Sequence, residues 1–167
     1  MTKILILSDT HSFLDSKLKK HIKNSDMIWH AGDIGNISVM DEIKALKPVV
    51  AVHGNIDNHI VKVEYPKNQI FKIHGNKIVI THIAGYPNRY NTHALNLIKL
   101  EQPDIFVCGH SHILKIIYDE KLNHLHVNPG ACGKHGFHKI QTAVKLEILN
   151  NGEIKNCEII ELLNAKS

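Results

Sequence analysis

The chain has 167 residues, of which 43% are hydrophobic and 22% charged, ordinary proportions for a globular protein long enough to bury one core. Apolar runs such as Ile4–Leu7 and Ile105–Cys108 fall far short of the roughly 20 residues a membrane-spanning helix needs. The run after Lys3 meets Ser8 and Asp9 too soon to form a signal-peptide core, so the expected location is cytoplasmic, with no membrane partner. Three scattered cysteines, Cys108, Cys132 and Cys157, exclude a disulfide scaffold and a cysteine-based zinc ribbon, and fit a reducing compartment. The net charge of +4 is built from lysine with one arginine, Arg89. Arginine is the favoured nucleic-acid reader, so no dedicated nucleic-acid binding is expected.

In chain order, Lys3–Ser8 reads as a strand buried on both faces. Residues 13–23 read as a helix carrying Leu14, Leu18 and Ile22 on one stripe. Met27–His30 is a second strand. Ser38 is the expected cap of a helix through Leu46, ended by Pro48, and Val49–Val52 is a third strand. The alternation indicates an α/β fold. Gln69–His74 and Lys77–His82 read as a hairpin turning at Gly75-Asn76. Thr92 is the expected cap of a helix through Leu100. Asp104–Cys108 is a further buried strand, followed by strand-like segments at Ile113–Tyr118, His124–Val127, Thr142–Leu149 and Ile154–Leu162. No linker or repeat interrupts the chain. The expectation is an α/β sandwich of two mixed β-sheets flanked by helices, forming a single domain over 1–167.

Polar residues collect at the ends of the expected strands: Asp9-x-His11, Gly32-Asp33, Gly54-Asn55-x-Asp57, His82, and Gly109-His110-x-His112. Ligands of open α/β sheets bind beyond the carboxyl ends of strands. If the backbone is extended at Asp9-x-His11 and His110-x-His112, each pair points to one side and shares a site. The glycines before Asp33, Asn55 and His110 are read as sharp turns. The donors are carboxylate, amide and imidazole without thiolate, a set that suits manganese, iron, zinc, nickel or cobalt rather than calcium. Seven donors are too many for one metal with an open position, and suit two metals if one carboxylate bridges them. The chain has 14 histidines; His21, His59, His74, His93, His124 and His126 are read as surface or core residues.

The five blocks, in this order over residues 4 to about 140, resemble the calcineurin-like metallophosphoesterases. The small size and Asn128-Pro129-Gly130 resemble that family's compact prokaryotic phosphodiesterase branch. The resemblance implies that Asp9, His11 and His112 hold one divalent ion, and that Asn55, His82 and His110 hold a second. Asp33 bridges them, and manganese is the first candidate. It further implies a small phosphoester substrate, most naturally a phosphodiester, attacked by water or hydroxide activated between the two metals. Asp33, Asn55, His82 and His135 are the expected catalytic residues. Ile56 stands where relatives often carry a histidine beside the leaving group. Two histidines of the stretch from Gly130 to His138, His135 and His138, are candidates for the missing proton donor, with Lys134 or Arg89 as further contacts. Asp57 is read either as orienting a ligand or as a solvated turn residue. The same fold also resembles a retromer scaffold subunit with a decayed metal site, which is the alternative reading. A homo-oligomer is compatible with either.

Overall fold

The computed structural model describes residues 1–162; residues 163–167 of the expected domain lie outside the described residues. The elements are β1 (Thr2–Leu7), α1 (Ser16–Lys23), β2 (Met27–His30), α2 (Ser38–Lys44), β3 (Val49–Ala51), α3 (His59–Glu64), β4 (Asn68–Ile73), β5 (Asn76–Thr81), α4 (Thr92–Glu101), β6 (Ile105–Val107), β7 (Lys115–Asp119), β8 (His124–Asn128), β9 (Gln141–Ile148) and β10 (Ile154–Leu162). They form two five-stranded sheets ordered β10-β9-β1-β2-β3 and β4-β5-β6-β8-β7. In the first sheet β1, β2 and β3 run parallel, with β9 antiparallel to β1. In the second β5, β6 and β8 run parallel, flanked by antiparallel β4 and β7. Both sheets are mixed, as the strand pattern predicts.

The side-chain alternation of β1 explains its unbroken apolar run. Ile4 and Ile6 point between the sheets, against Trp29, Ile78, Ile80, Ile105, Val107 and Val127. Leu5 and Leu7 point outward, against Leu18 and Ile22 of α1 and Met40 and Ile43 of α2. The second sheet is covered on its outer face by α4, where Val79 and Phe106 meet Ala94 and Ile98. A strand buried on both faces has no polar face to alternate with. Each fully buried leucine or isoleucine contributes roughly 1.5–3 kcal/mol.

Several local features differ from the expectation. Helix α1 begins at Ser16, because the Asp15 carboxylate accepts from Lys17 N at 2.8 Å and caps it there. Asn36, not Ser38, supplies the side-chain oxygen at the start of α2, accepting from Ser38 N at 3.0 Å. Asn91, not Thr92, caps α4 through Ala94 N. The hairpin turns at His74-Gly75, both at positive φ (48° and 88°), while Asn76 pairs with Ile73; a two-residue turn of this hand needs positive φ at both central positions. Helix α3 is additional. It buries only Val61 and is capped by Asn58, so it shows no apolar stripe.

Candidate metal centre

The segments following β1, β2 and β3 of one sheet and β5 and β6 of the other come together at one edge of the sandwich. The first two run side by side beyond their strands, through Asp9 N to Gly32 O at 2.9 Å, His11 N to Asp33 O at 3.1 Å and Ser12 N to Ile34 O at 2.9 Å. The backbone here is not extended. Asp9, His11, Asp33, His110 and His112 have φ of 55°, 45°, 54°, 68° and 59°, the left-handed region that only a few non-glycine residues visit. Left-handed turns, not strand alternation, therefore bring each Asp or His pair to one side. Such residues cost of order 1–3 kcal/mol each and persist where the surroundings over-determine them.

The glycines also act differently from the expectation. Gly32 does turn at φ 98°, but Gly54 and Gly109 are not left-handed. They allow close approach: a Cβ on Gly54 would stand 2.0 Å from Asp33 Oδ1, and one on Gly109 2.0 Å from Ser8 Oγ and 2.8 Å from Asp9 Oδ2.

All seven donor residues converge. Asp9, His11 and His112 bring donor atoms within 4.8 Å of one another, and Asp33, His82 and His110 do the same. In the first group His112 Nε2 lies 3.1 Å and His11 Nε2 3.9 Å from Asp9 Oδ1. In the second, Asn55 Oδ1 stands 3.1 Å from His82 Nε2 and 2.9 Å from His110 Nδ1. Asp33 faces both groups, with Oδ1 3.1 Å from His82 Nε2 and Oδ2 3.5 Å from His11 Nε2. Asp9, Asp33 and His82 are buried, whereas Asn55 and His110 are exposed, so the centre opens to solvent on one side.

The residues fit a divalent cation. Asp9 Oδ2 is occupied, accepting from Ser8 Oγ at 2.6 Å and His110 N at 3.1 Å. Its Oδ1 and His11 Nε2 are buried without a hydrogen bond. With the His82 Nδ1–H donated to the Ala31 carbonyl at 2.7 Å, His82 Nε2 is left as a lone pair facing the oxygens of Asp33 and Asn55. Buried polar atoms that converge without a proton between them are costly; a cation among them turns repulsion into ligation. Proton affinities carry the same crowding. Burial pulls the Asp9 carboxyl upward, but His11, His112, His82 and the Ser8 hydroxyl outweigh it and hold it below the ordinary carboxylate range. Burial pulls His82 down, yet Asp33 and Asp9 raise it overall. Burial, reinforced by His82, lowers His110.

Supporting residues lock these loops. Asp57 is buried, and its carboxylate accepts from Ile34 N, Gly35 N and Gly54 N at 3.2, 2.8 and 2.7 Å. It is no solvated turn residue, since it ties the Asp33 loop to the Asn55 loop. Asn128 Nδ2 donates to Gly109 O at 2.9 Å and Ser111 Oγ at 3.1 Å, fixing the segment that carries His110 and His112. His30, the last residue of β2, accepts from Gly32 N at 3.1 Å and bonds Thr10 Oγ1 at 3.0 Å. The Asn-Pro-Gly and Gly-Asn-x-Asp patterns mark Asn128 and Asp57 in the sequence; nothing local marks His30.

A cleft of about 460 Å³ opens over the centre, lined by His11, Asp33, Asn55, His110 and His112 together with Ile56, Ile113, His135 and Phe137. The Ile56 side chain is exposed, but its N–H donates to Asp33 Oδ1 at 3.1 Å. The His135 ring lies 4.8 Å from that of His11. His138 Nε2 donates to the Gly133 carbonyl at 2.7 Å, and its ring packs edge-on to His112. Lys134 Nζ lies over the Phe13 ring at 4.2 Å. Neither Lys134 nor Arg89 lines the cleft.

Residues 2–151 match the family model of the calcineurin-like phosphoesterase superfamily domain, and the chain belongs to that superfamily. It is 31% identical over 113 residues, 64% of either chain, to a "probable metallophosphoesterase" of Methanothermobacter thermautotrophicus. A second relative of that description, from Methanocaldococcus jannaschii, is 30% identical over 153 residues, 85% of this chain and 77% of its own. Among solved structures, the zinc complex of Vps29 from Entamoeba histolytica superposes with a TM-score of 0.72 at 18% identity, covering 95% of this chain and 98% of that one. An archaeal phosphodiesterase does so at 0.70 and 24% identity, covering 96% and 99%. At such identities the structural likeness concerns the fold.

Proposed function

We propose that the chain is a metal-dependent phosphodiesterase with a dinuclear centre. Asp9, His11 and His112 would hold one divalent ion, and Asn55, His82 and His110 a second, with Asp33 contributing an oxygen to each. The observation that carries this reading is the Asp33 carboxylate, whose two oxygens face the two donor groups separately. When bound, two such ions supply Lewis acidity toward a phosphoryl oxygen and a lowered pKa for water. The protein's own groups aim the donors. Ser8 and the His110 N–H hold the spare oxygen of Asp9, the Ala31 carbonyl selects the His82 tautomer, and the Ile56 N–H steadies Asp33. Ile56 offers no proton to a leaving group. His135, on the cleft wall beside His11, is the group placed to donate one.

A scaffold role of the Vps29 kind is the competing reading, and the full set of competent donors weighs against it. Elemental analysis of the purified protein, joined to hydrolysis of bis(p-nitrophenyl) phosphate and p-nitrophenyl phosphate across manganese, iron, zinc, nickel and cobalt, tests the proposal. Two metals per chain, faster diester than monoester turnover and the highest rate with manganese are expected. Asp33→Asn should lose more activity than Asn55→Ala, because a shared carboxylate supplies charge to both ions and an amide serves one. Well under one metal per chain after reconstitution, with no turnover, would favour the scaffold.

A further inference from the structure

A second cavity, of about 340 Å³, adjoins the centre at Asn55 and His82, donors of the second group, and His135 is not among its described lining residues. It is walled by Lys62, Lys67, Asn91 and His93. Lys62 lies on α3 and Lys67 just before β4, while Asn91 and His93 form the start of α4. Among its described lining residues none is acidic. Neither lysine has a carboxylate within ion-pair distance among the described residues, whereas Lys44, Lys77 and Lys145 pair with Glu64, Glu101 and Glu147. Lys67 stands close to His93: burial first, and then the charge of Lys67, lowers the proton affinity of that ring. His93 Nε2 meets Asn68 Oδ1 at 3.3 Å. The N-terminus of the ten-residue α4 adds positive potential from its dipole.

A pocket that starts at candidate metal ligands and ends at two ammonium groups without a described carboxylate partner has one evident use. We propose that it is a subsite for an anionic group, phosphate or carboxylate, carried on one alcohol arm of the phosphodiester. The inference rests on the phosphodiesterase reading. Here the lysines act as point charges that attract an anion without fixing its orientation, so the subsite selects charge rather than a particular headgroup. The opposite cleft, bordered by Ile56, Ile113 and Phe137, holds no such charges and takes the other arm. A substrate with one anionic and one less polar arm thus enters in a single orientation.

The test uses p-nitrophenyl alkyl phosphodiesters whose alkyl arm of two to five carbons ends in a phosphate, against the same arms ending in a hydroxyl. For metal-loaded wild type, the phosphate-ended ester of best length should show a KM lower by about tenfold, as expected for a pair of partly exposed charges. The preference should shrink as salt is raised. In Lys62→Met/Lys67→Met the ratio of the two KM values should fall to near one. Calorimetric binding of alkane-α,ω-bisphosphates and ω-hydroxyalkyl phosphates to zinc-loaded protein reads the same pocket without turnover. A lysine-dependent preference for the bisphosphate, with no ester hydrolysed, would keep the subsite and overturn the phosphodiesterase reading. Equal treatment of the two ligands by wild type, or a preference that survives loss of both lysines, would overturn the subsite.

Discussion

At the scale of single residues, the centre depends on atoms that are already committed. Asp9 keeps one oxygen for the site because Ser8 and the His110 N–H hold the other, and His82 keeps Nε2 because its Nδ1–H donates to the Ala31 carbonyl. Glycines 54 and 109 contribute by what they lack, since a methyl group on either would displace an aspartate or the serine that aims it. Proton donation is the open role. Ile56 cannot fill it, His138 is engaged by Gly133, and His135 lies beside His11 at the wall of the cleft. A positioned acid contributes roughly 10²–10⁴-fold, most for poor leaving groups. His135→Ala should therefore slow alkyl phosphodiesters far more than nitrophenyl ones in a leaving-group series. A variant whose dependence on leaving-group pKa matches wild type would remove His135 from the mechanism.

At the scale of elements, β8 carries a second histidine cluster away from the metal centre. The Tyr90 hydroxyl lies 2.9 Å from both His124 Nε2 and His126 Nδ1. With one proton it can donate to one ring and accept an N–H from the other, and burial lowers the proton affinity of both rings. Burial, aided by His124 and Lys115, pushes His126 down from 6.5 to about 4, and burial does the same to His30. The unfolded chain takes up these protons as pH falls below about 6.5, and the folded chain does so only near 4. Stability is thus full above pH 6.5 and lost as pH falls toward 4; His126 alone should account for roughly 2 kcal/mol by pH 5. Urea unfolding at pH 7 and pH 5, with chelator present, measures this. His126→Phe should flatten the dependence, and an unchanged slope would place the linkage elsewhere.

At the scale of the whole molecule, the candidate centre sits where two sheets meet, so a bound cation would link loops from both. His82 and His110 follow strands of one sheet, Asp9 and Asp33 strands of the other. A ligand bound only by the folded chain stabilises by about 4 kcal/mol at a thousand times its Kd. For a chain of 167 residues, each kcal/mol moves Tm by about 2–4 °C. Saturating manganese or zinc should raise Tm by roughly 8–16 °C over chelator-treated protein. Asp9→Asn should lose most of that increment; an equal increment in this variant would mean the ion binds elsewhere.

The sequence by itself determined the order of the elements other than α3, the mixed two-sheet architecture and the places where Asp, His and Asn follow the strands. Each of these is written locally: apolar runs such as Ile4–Leu7 show burial on both faces, and Asp, His and Asn interrupt them where strands stop. Tertiary structure alone decided that five strand ends face one another across two sheets, because that follows from strand order set by pairings distant in the chain, such as β1 with β9 and β6 with β8. It also decided the left-handed backbone at Asp9, His11, Asp33, His110 and His112. Contacts between loops impose that conformation, and no local propensity announces it. Helix α3 and its Lys62 escaped the sequence for the same reason. A six-residue helix with one buried side chain carries no periodic signal, and acquires a role only beside β4, α4 and the centre itself.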